Sequence, residues 1–422
     1  MLRYLEALSP SRCCFTASDF DDTLIDIESI LKEFTHRKNG QHPHFNHKEK
    51  ISFLERAYRL SLICLSFSGK RKPDKQLSFW FAEILRHYGQ LCFEESFLAS
   101  KEILLAAFNM HLYSIGVIDH CIDMQEFGSL GELKAKVRAQ PHLFVLMERL
   151  VLNTHIEQCI ARLRISTLAK ANSLKRMYSL AETARWLGHA YQNIDSYKAL
   201  QPENDLRFAQ LFNLSEALLL LIDSEESRRE LGDLYYQAWP FMYQREHPHD
   251  IEGMCALYDR ALACDSSKEM LMRVNNMRFL TLYKAGRKTE ALSFILQALE
   301  STKELADTEH NRFLIANVHY NYSGYLMDPE FIDLEEAEKH LSIAIHYAAK
   351  TRAKEEDHLY FAIYDLRLAE LKMLLGEFIQ AKEAIERGLT SLKKFTENQH
   401  MLLGKAEALK SLINKTLAMS HG

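Results

Sequence analysis

Glycine and proline are scarce in this chain, at 15 and 8 residues of 422. Turns and strand ends consume both, so their scarcity disfavours a many-stranded sheet and favours long helices joined by short links. Also lacking is an apolar run long enough to span a bilayer. The longest tempting one, ALLLLI from Ala217 to Ile222, falls far short of the ~20 residues a spanning helix needs. The first residues, MLRYLEALSPSRCC, contain no stretch of signal-peptide length, which makes a cytoplasmic location the default expectation and a membrane partner disfavoured. A net charge of −5 leaves no overall electrostatic footprint for nucleic acid, so that partner class is disfavoured too. The cysteines, at 13, 14, 64, 92, 121, 159, 255 and 264, form no Cys-x-x-Cys pair and no disulfide-framework spacing. They read as reduced, mostly buried thiols. Neither Gly-x-Ser-x-Gly, His-Glu-x-x-His nor a dinucleotide fingerprint occurs, and no cofactor is expected.

What is present is a helical pattern that recurs. In YDLRLAELKMLLGEFIQAKEAIERGLTSL (364–392), small residues stand at Ala369, Ala381 and Gly388, with Leu368, Leu371 and Leu375 on one apolar stripe and Ile385 and Leu389 on another. Gly376 and Phe378 mark a turn between them. Two helices approach closely only where small residues allow it, and a tight turn between them needs a glycine or equivalent. Upstream, 321–348 repeats the scheme with Gly324, Ala337 and Ala344 around a turn containing Asp328-Pro329, and 282–300 with Gly286, Ala291 and Ala298. In the latter, Phe279 stands where the scheme wants a small residue.

This spacing is similar to that of tetratricopeptide repeats, stacked helix–turn–helix units. The anchor alanines 291, 337 and 381 lie 46 and 44 residues apart, more than the ~34 of that family. The repeats are therefore read as degenerate and lengthened, with longer helices or links. Further upstream the likeness thins to LGDLY (231–235) and LGHAY (187–191) as first helices, with CALYDRALA (255–263) as a second helix partnering the former. The expected fold is all-α, a superhelical stack of helical hairpins preceded by a non-repetitive helical region. The expected division is a helical region at 1–140 and a repeat domain at 141–422, ending in a polar-faced helix at 400–418 that caps the stack. Within the first part, SLICLSF (61–67) is apolar and short enough to end as a strand.

The chemical candidates are weaker. SDFDDTLIDIES (18–29) resembles the nucleophile loop of haloacid-dehalogenase-like phosphatases, which implies Asp19 attacking phosphate, Asp21 as acid/base, and magnesium, with Thr23 and Leu24 completing the motif. Downstream partners of the right types would be Ser66, Lys72, Asp119 and Asp123, yet the alternation of strand and helix that such a sheet requires is missing. The same residues read more fully as a helix start. Phe20, Leu24, Ile27, Leu31 and Phe34 form one stripe, Ser18 is a fitting N-cap, and the aspartates complement the helix dipole. The His36, His42, His44, His47 cluster lacks an acidic or cysteine partner at metal-site spacing, and His155 with Cys159 makes only two ligands, so no metal site is expected. SGKRKPDK (68–75) lacks the glycine spacing of a phosphate loop.

A tetratricopeptide-like stack implies a groove that binds a protein or an extended peptide without catalysis, so the chain is not read as an enzyme. The resemblance places groove residues beside the small position of each first helix. Asn276 and Asn321 then fall in register, joined by Arg273, Tyr283, Asn317 and Tyr325, while Leu366 breaks the row in the third repeat. Amides both donate and accept, so they can hold a peptide backbone without reading its side chains. The architecture also resembles the bacterial peptide-pheromone receptors, which implies a peptide-sensing regulatory role, although no helix-turn-helix reader is legible in 1–70. Self-association as a homo-oligomer is left open.

Overall fold

The computed structural model describes residues 17–37, 45–67, 73–93, 96–119, 121–140, 143–144, 171–195, 202–238, 240, 243, 247, 249–351, 358–392 and 400–420. Among the described residues are sixteen α-helices and no strand. They divide into two compact units, Met1–Leu234 and Tyr235–Gly422. The boundary expected near 140 falls beside 141–142 and 145–170, outside the described residues, as do His42, His44, Lys72, His155 and Cys159.

The first unit holds α1 (Ala17–His36), α2 (His47–Phe67), α3 (Lys75–Phe93), α4 (Phe97–Ser114), α5 (Leu130–Ala139), α6 (Ala171–Asp195), α7 (Pro202–Ile222) and α8 (Glu225–Asp233). On α1 the stripe is real from Ile27 onward: Ile27, Ile30, Leu31 and Phe34 are buried. Ser18 lies inside the helix and not ahead of it as an N-cap, and Asp19 and Asp21 are helical where a phosphatase would need a loop after a strand. SLICLSF is also helix and not a strand end. It lies in α2 and contributes buried Ser61, Cys64 and Leu65, three positions at helical spacing. Helices α3 and α4 pair as a hairpin, α6 and α7 as another, and α4 packs on α6. Hairpin packing thus extends upstream of any legible sequence period. Gly188 of LGHAY permits one such approach, because a Cβ there would stand 2.6 Å from Cε1 of Phe212 on α7.

Where α3, α4 and α6 meet, the interior is ionic. Arg86 donates to both carboxylate oxygens of Glu83, at 3.1 and 2.9 Å, and its remaining terminal nitrogen lies 2.8 Å from Glu182. Burial alone would raise the Glu83 carboxyl, but the charge and hydrogen bonds of Arg86, with His111 and His87 behind it, hold it down at about 2. His111 is fully buried, with Nε2 3.5 Å from Glu83, and burial lowers it to about 4, against the pull of the Glu83 charge. A histidine depressed from its ordinary value of about 6.5 stays neutral in the folded state while the unfolded chain takes up a proton. Stability is therefore lost as pH falls from about 6.5 through 4. A melting series across that window should show a steadily falling transition for the first unit, and His111→Leu should flatten it. An unchanged slope in that variant would remove His111 as the cause.

The second unit holds α9 (Ile251–Cys264), α10 (Lys268–Lys284), α11 (Lys288–Thr302), α12 (Glu309–Leu326), α13 (Leu334–Thr351), α14 (His358–Leu374), α15 (Phe378–Leu392) and α16 (His400–Ser420). Helices α10/α11, α12/α13 and α14/α15 are hairpins, formed where the small-residue spacing places them. The anchors Ala291, Ala298, Ala337, Ala344, Ala369 and Ala381 are all fully buried. Gly286 and Gly376 close two of the turns at φ +79° and +78°, a conformation open to glycine at no steric cost. Ser267 and Thr308 cap α10 and α12, accepting backbone N–H bonds at 3.2 and 3.1 Å. CALYDRALA lies in α9 and packs on α10; its Arg260 stacks on Tyr235 at 3.9 Å and donates to that phenol at 2.6 Å. The last helix, α16, buries Ala406 and Ile413 against α14 and α15, packs Leu402, Leu403, Leu409 and Leu417 beside them, and leaves Leu412 and Met419 exposed on its outer face. This is an all-α stack of helical hairpins, and no helix among the described residues is long and apolar enough to cross a membrane.

Candidate functional site

In a stack of hairpins, each first helix meets the first helix of the next repeat, so residues one repeat apart become neighbours. The repeat here is 45 residues: Asn276 faces Asn321, and Phe279 of α10 is the counterpart of Gly324 of α12. Nδ2 of Asn321 donates to Oδ1 of Asn276 at 2.9 Å. That bond uses one donor and one acceptor. The pair keeps the Nδ2 amide of Asn276 and the Oδ1 of Asn321, neither of which is sealed from solvent or bonded to another described residue. Together they offer the donor and the acceptor that a peptide group pairs with.

The remaining expected groove residues divide by environment. Tyr283 donates its phenol to Asp328 at 2.5 Å, and Lys288 reaches the same carboxylate at 3.0 Å. Burial, then the bond to the Asp328 carboxylate, pushes the Tyr283 phenol up to about 12. Tyr325 is only 2% exposed, its ring stacked on Phe331 at 4.6 Å and edge-on to Phe279, so the structure places it in the core. Arg273 spreads over the Tyr236 ring at 4.4 Å and lies 3.7 Å from Glu269. Asn317, one turn before Asn321, is half-buried. Leu366, the next counterpart of the asparagines, is buried, and the neighbouring Arg367 covers the face instead. Its guanidinium lies over Tyr320 at 4.6 Å, in the space that the absent side chain of Gly324 leaves clear.

A second feature has no counterpart in the sequence reading. A cleft of about 620 Å³ is lined by α11, α12 and α13, among them Leu299, Ile315, His319, His340, Ile343 and Tyr347. The Nδ1 atoms of His319 and His340 are 2.7 Å apart with their rings stacked, and Nε2 of His340 lies 3.3 Å from Glu336. Burial lowers His319 to about 4, helped by His340, and lowers His340 as well despite the Glu336 charge. The two histidines stand 21 residues apart on different helices, a spacing that no local motif contains.

Neither a family model nor a curated protein matches the chain. Among solved structures it is similar to BtubC (BKLC) from P. vanneervenii, at 17% identity and a TM-score of 0.41, covering 58% of this chain and 95% of that one. It is also similar to Nro1, described as a hypoxic regulator of sterol synthesis and a nuclear import adaptor, at 11% identity and a TM-score of 0.26, covering 93% and 94%. A third is a circular tandem repeat protein with novel repeat topology, at 13% identity and a TM-score of 0.15, covering 94% and 88%. Likenesses at these scores say nothing of function. The helical-repeat class of this protein rests on its own hairpins.

Proposed function

We propose that the second unit is a tetratricopeptide-like binding module that takes an extended peptide or protein segment along its first helices and carries out no reaction of its own. The observation that supports this most directly is the asparagine pair. Asn276 and Asn321 are bonded to each other, held in register across two repeats, and left with an accessible amide donor group on Asn276 and an accessible acceptor on Asn321. Such a pair matches the C=O and N–H of a backbone in extended form, and a solvated surface asparagine has no reason to be oriented by its equivalent one repeat away.

Each of the two hydrogen bonds to a bound backbone contributes about 0.5–1.5 kcal/mol, so removing both should weaken binding by about 5- to 150-fold. The test is selection from a random peptide display library on the full chain, followed by titration of the captured peptides. Asn276→Ala with Asn321→Ala should lose affinity by that factor while helical content and melting stay the same. Captured peptides that bind the double variant as tightly as the parent would refute the role of the pair.

A further inference from the structure

The proton positions around the His319–His340 cleft follow from its contacts. At neutral pH both imidazoles are neutral, so each carries a single N–H. The Glu336 carboxylate can only accept, and it sits 3.3 Å from Nε2 of His340, which puts the His340 proton on Nε2 and leaves its Nδ1 a bare acceptor. The 2.7 Å contact between the two Nδ1 atoms then requires the His319 proton on Nδ1. Nε2 of His319 is left as a lone pair. It forms no hydrogen bond with a described residue and is not sealed from solvent, and His319 lines the cleft. Glu336, His340 and His319 thus make a chain that fixes one hydrogen-bond acceptor on a residue lining an open cleft, walled in part by Leu299, Ile315 and Ile343 and in part by Lys303, Ser342 and His346.

We infer that this cleft is a small-molecule site for an apolar, largely aromatic ligand carrying one hydrogen-bond donor, a phenolic hydroxyl or an indole-type N–H, which binds to Nε2 of His319. Its volume of about 620 Å³ is that of ordinary ligand pockets, which pair apolar walls with a few fixed polar groups. Tyr322 packs edge-on against His340 at 4.7 Å and supports the ring from outside the chain of hydrogen bonds. Glu336, His340 and His319 are spent on one another, and among the described residues no three His, Cys, Asp or Glu side chains are placed to hold one metal ion. The site is independent of the asparagine pair: it is lined by α11, α12 and α13, whereas the asparagines lie on α10 and α12. His319 and Glu336 have distinct parts. The first touches the ligand; the second is a positioning residue that sets the tautomer through His340.

The experiment uses the full chain, 2-naphthol as the donor probe and 2-methoxynaphthalene as its donor-less counterpart. Histidine ring ¹⁵N shifts in the free protein should identify His319 as the Nδ1–H tautomer. Saturable shifts on titration should show 2-naphthol binding at least about tenfold more tightly than the methyl ether, the worth of one good hydrogen bond. His319→Phe should abolish that preference. Glu336→Leu should move His319 toward the Nε2–H tautomer and reduce the preference in parallel. Equal affinity of the two probes, failure of 2-naphthol to saturate, or an Nε2–H tautomer in the parent protein would each overturn the assignment. The tautomer measurement and the comparison of the two probes need no variant, so the assignment stays testable even if a substitution disturbs folding.

Discussion

Arg86→Ala is expected to lower the unfolding free energy of the first unit by about 3–5 kcal/mol, the cost of removing one member of a buried ion cluster. The Arg86 side chain is 6% exposed and sits between Glu83 and Glu182, whose side chains are 10% and 17% exposed. Alanine leaves Glu83 without its ion partner, beside His111, which burial keeps neutral, and leaves Glu182 with only the charge of Arg185 to balance it. The Glu83 carboxyl, held at about 2 by the guanidinium, would rise sharply and take up a proton near neutral pH. Denaturant unfolding followed by helical circular dichroism measures the loss as a drop in midpoint at unchanged slope. A second arm separates charge from packing: Arg86→Met combined with Glu83→Gln and Glu182→Gln should recover most of the stability, because a neutral, well-filled interior no longer needs the ion. A cost below about 1 kcal/mol for Arg86→Ala would mean that the carboxylates are solvated after all, as surface pairs are.

That cluster also shows where the sequence stops being informative. On α3, Glu83, Arg86 and His87 fall among Trp80, Phe81, Ile84 and Leu85, and a charged set at helical spacing is ordinarily a solvated face. Here α4 and α6 both pack on α3, so the polar side is covered too. Which side of a helix meets a third element is a tertiary fact that no local pattern records. The hairpins of the second unit were legible for the opposite reason. The small anchors and the glycines at 286 and 376 act within one hairpin, so their chemistry is local. The asparagine pair was legible because a repeat converts a sequence offset of 45 residues into a contact. The histidine cleft was not, since His319 and His340 occupy unrelated positions of one hairpin. Aromatic residues near the groove misled for a related reason: Tyr325 and Tyr283 stand at plausible groove positions, but a large ring with apolar neighbours is drawn into the core or into a salt network instead.

Phe279→Ala should destabilise the second unit by about 3–5 kcal/mol, the usual cost of truncating a buried phenylalanine, although it restores the small residue that the repeat pattern wants there. The repeat resemblance taken alone expects the opposite, a neutral or stabilising change that lets α10 and α11 pack more closely. The geometry decides against it. Phe279 is 2% exposed, stacks on Tyr283 at 5.6 Å and meets Tyr325 edge-on at 6.0 Å. Its counterpart Gly324 shows what a small residue does at this place: the cleared space is taken by the Arg367 guanidinium from the following repeat. No side chain is positioned to enter the void at 279 in that way, because the rings that face it are already committed, Tyr325 against Phe331 and Tyr283 to Asp328. The cavity would therefore stay largely open, and the loss scales with the volume left unfilled. Asn276 lies one turn before Phe279 on α10, so the same substitution should loosen its bond to Asn321 and weaken peptide capture along with stability. Phe279→Leu, which keeps most of the bulk, should cost less than about 1.5 kcal/mol and leave capture intact. A Phe279→Ala variant that melts at or above the parent temperature would show that the close helix approach of the repeat pattern, and not the aromatic cluster, governs this part of the stack.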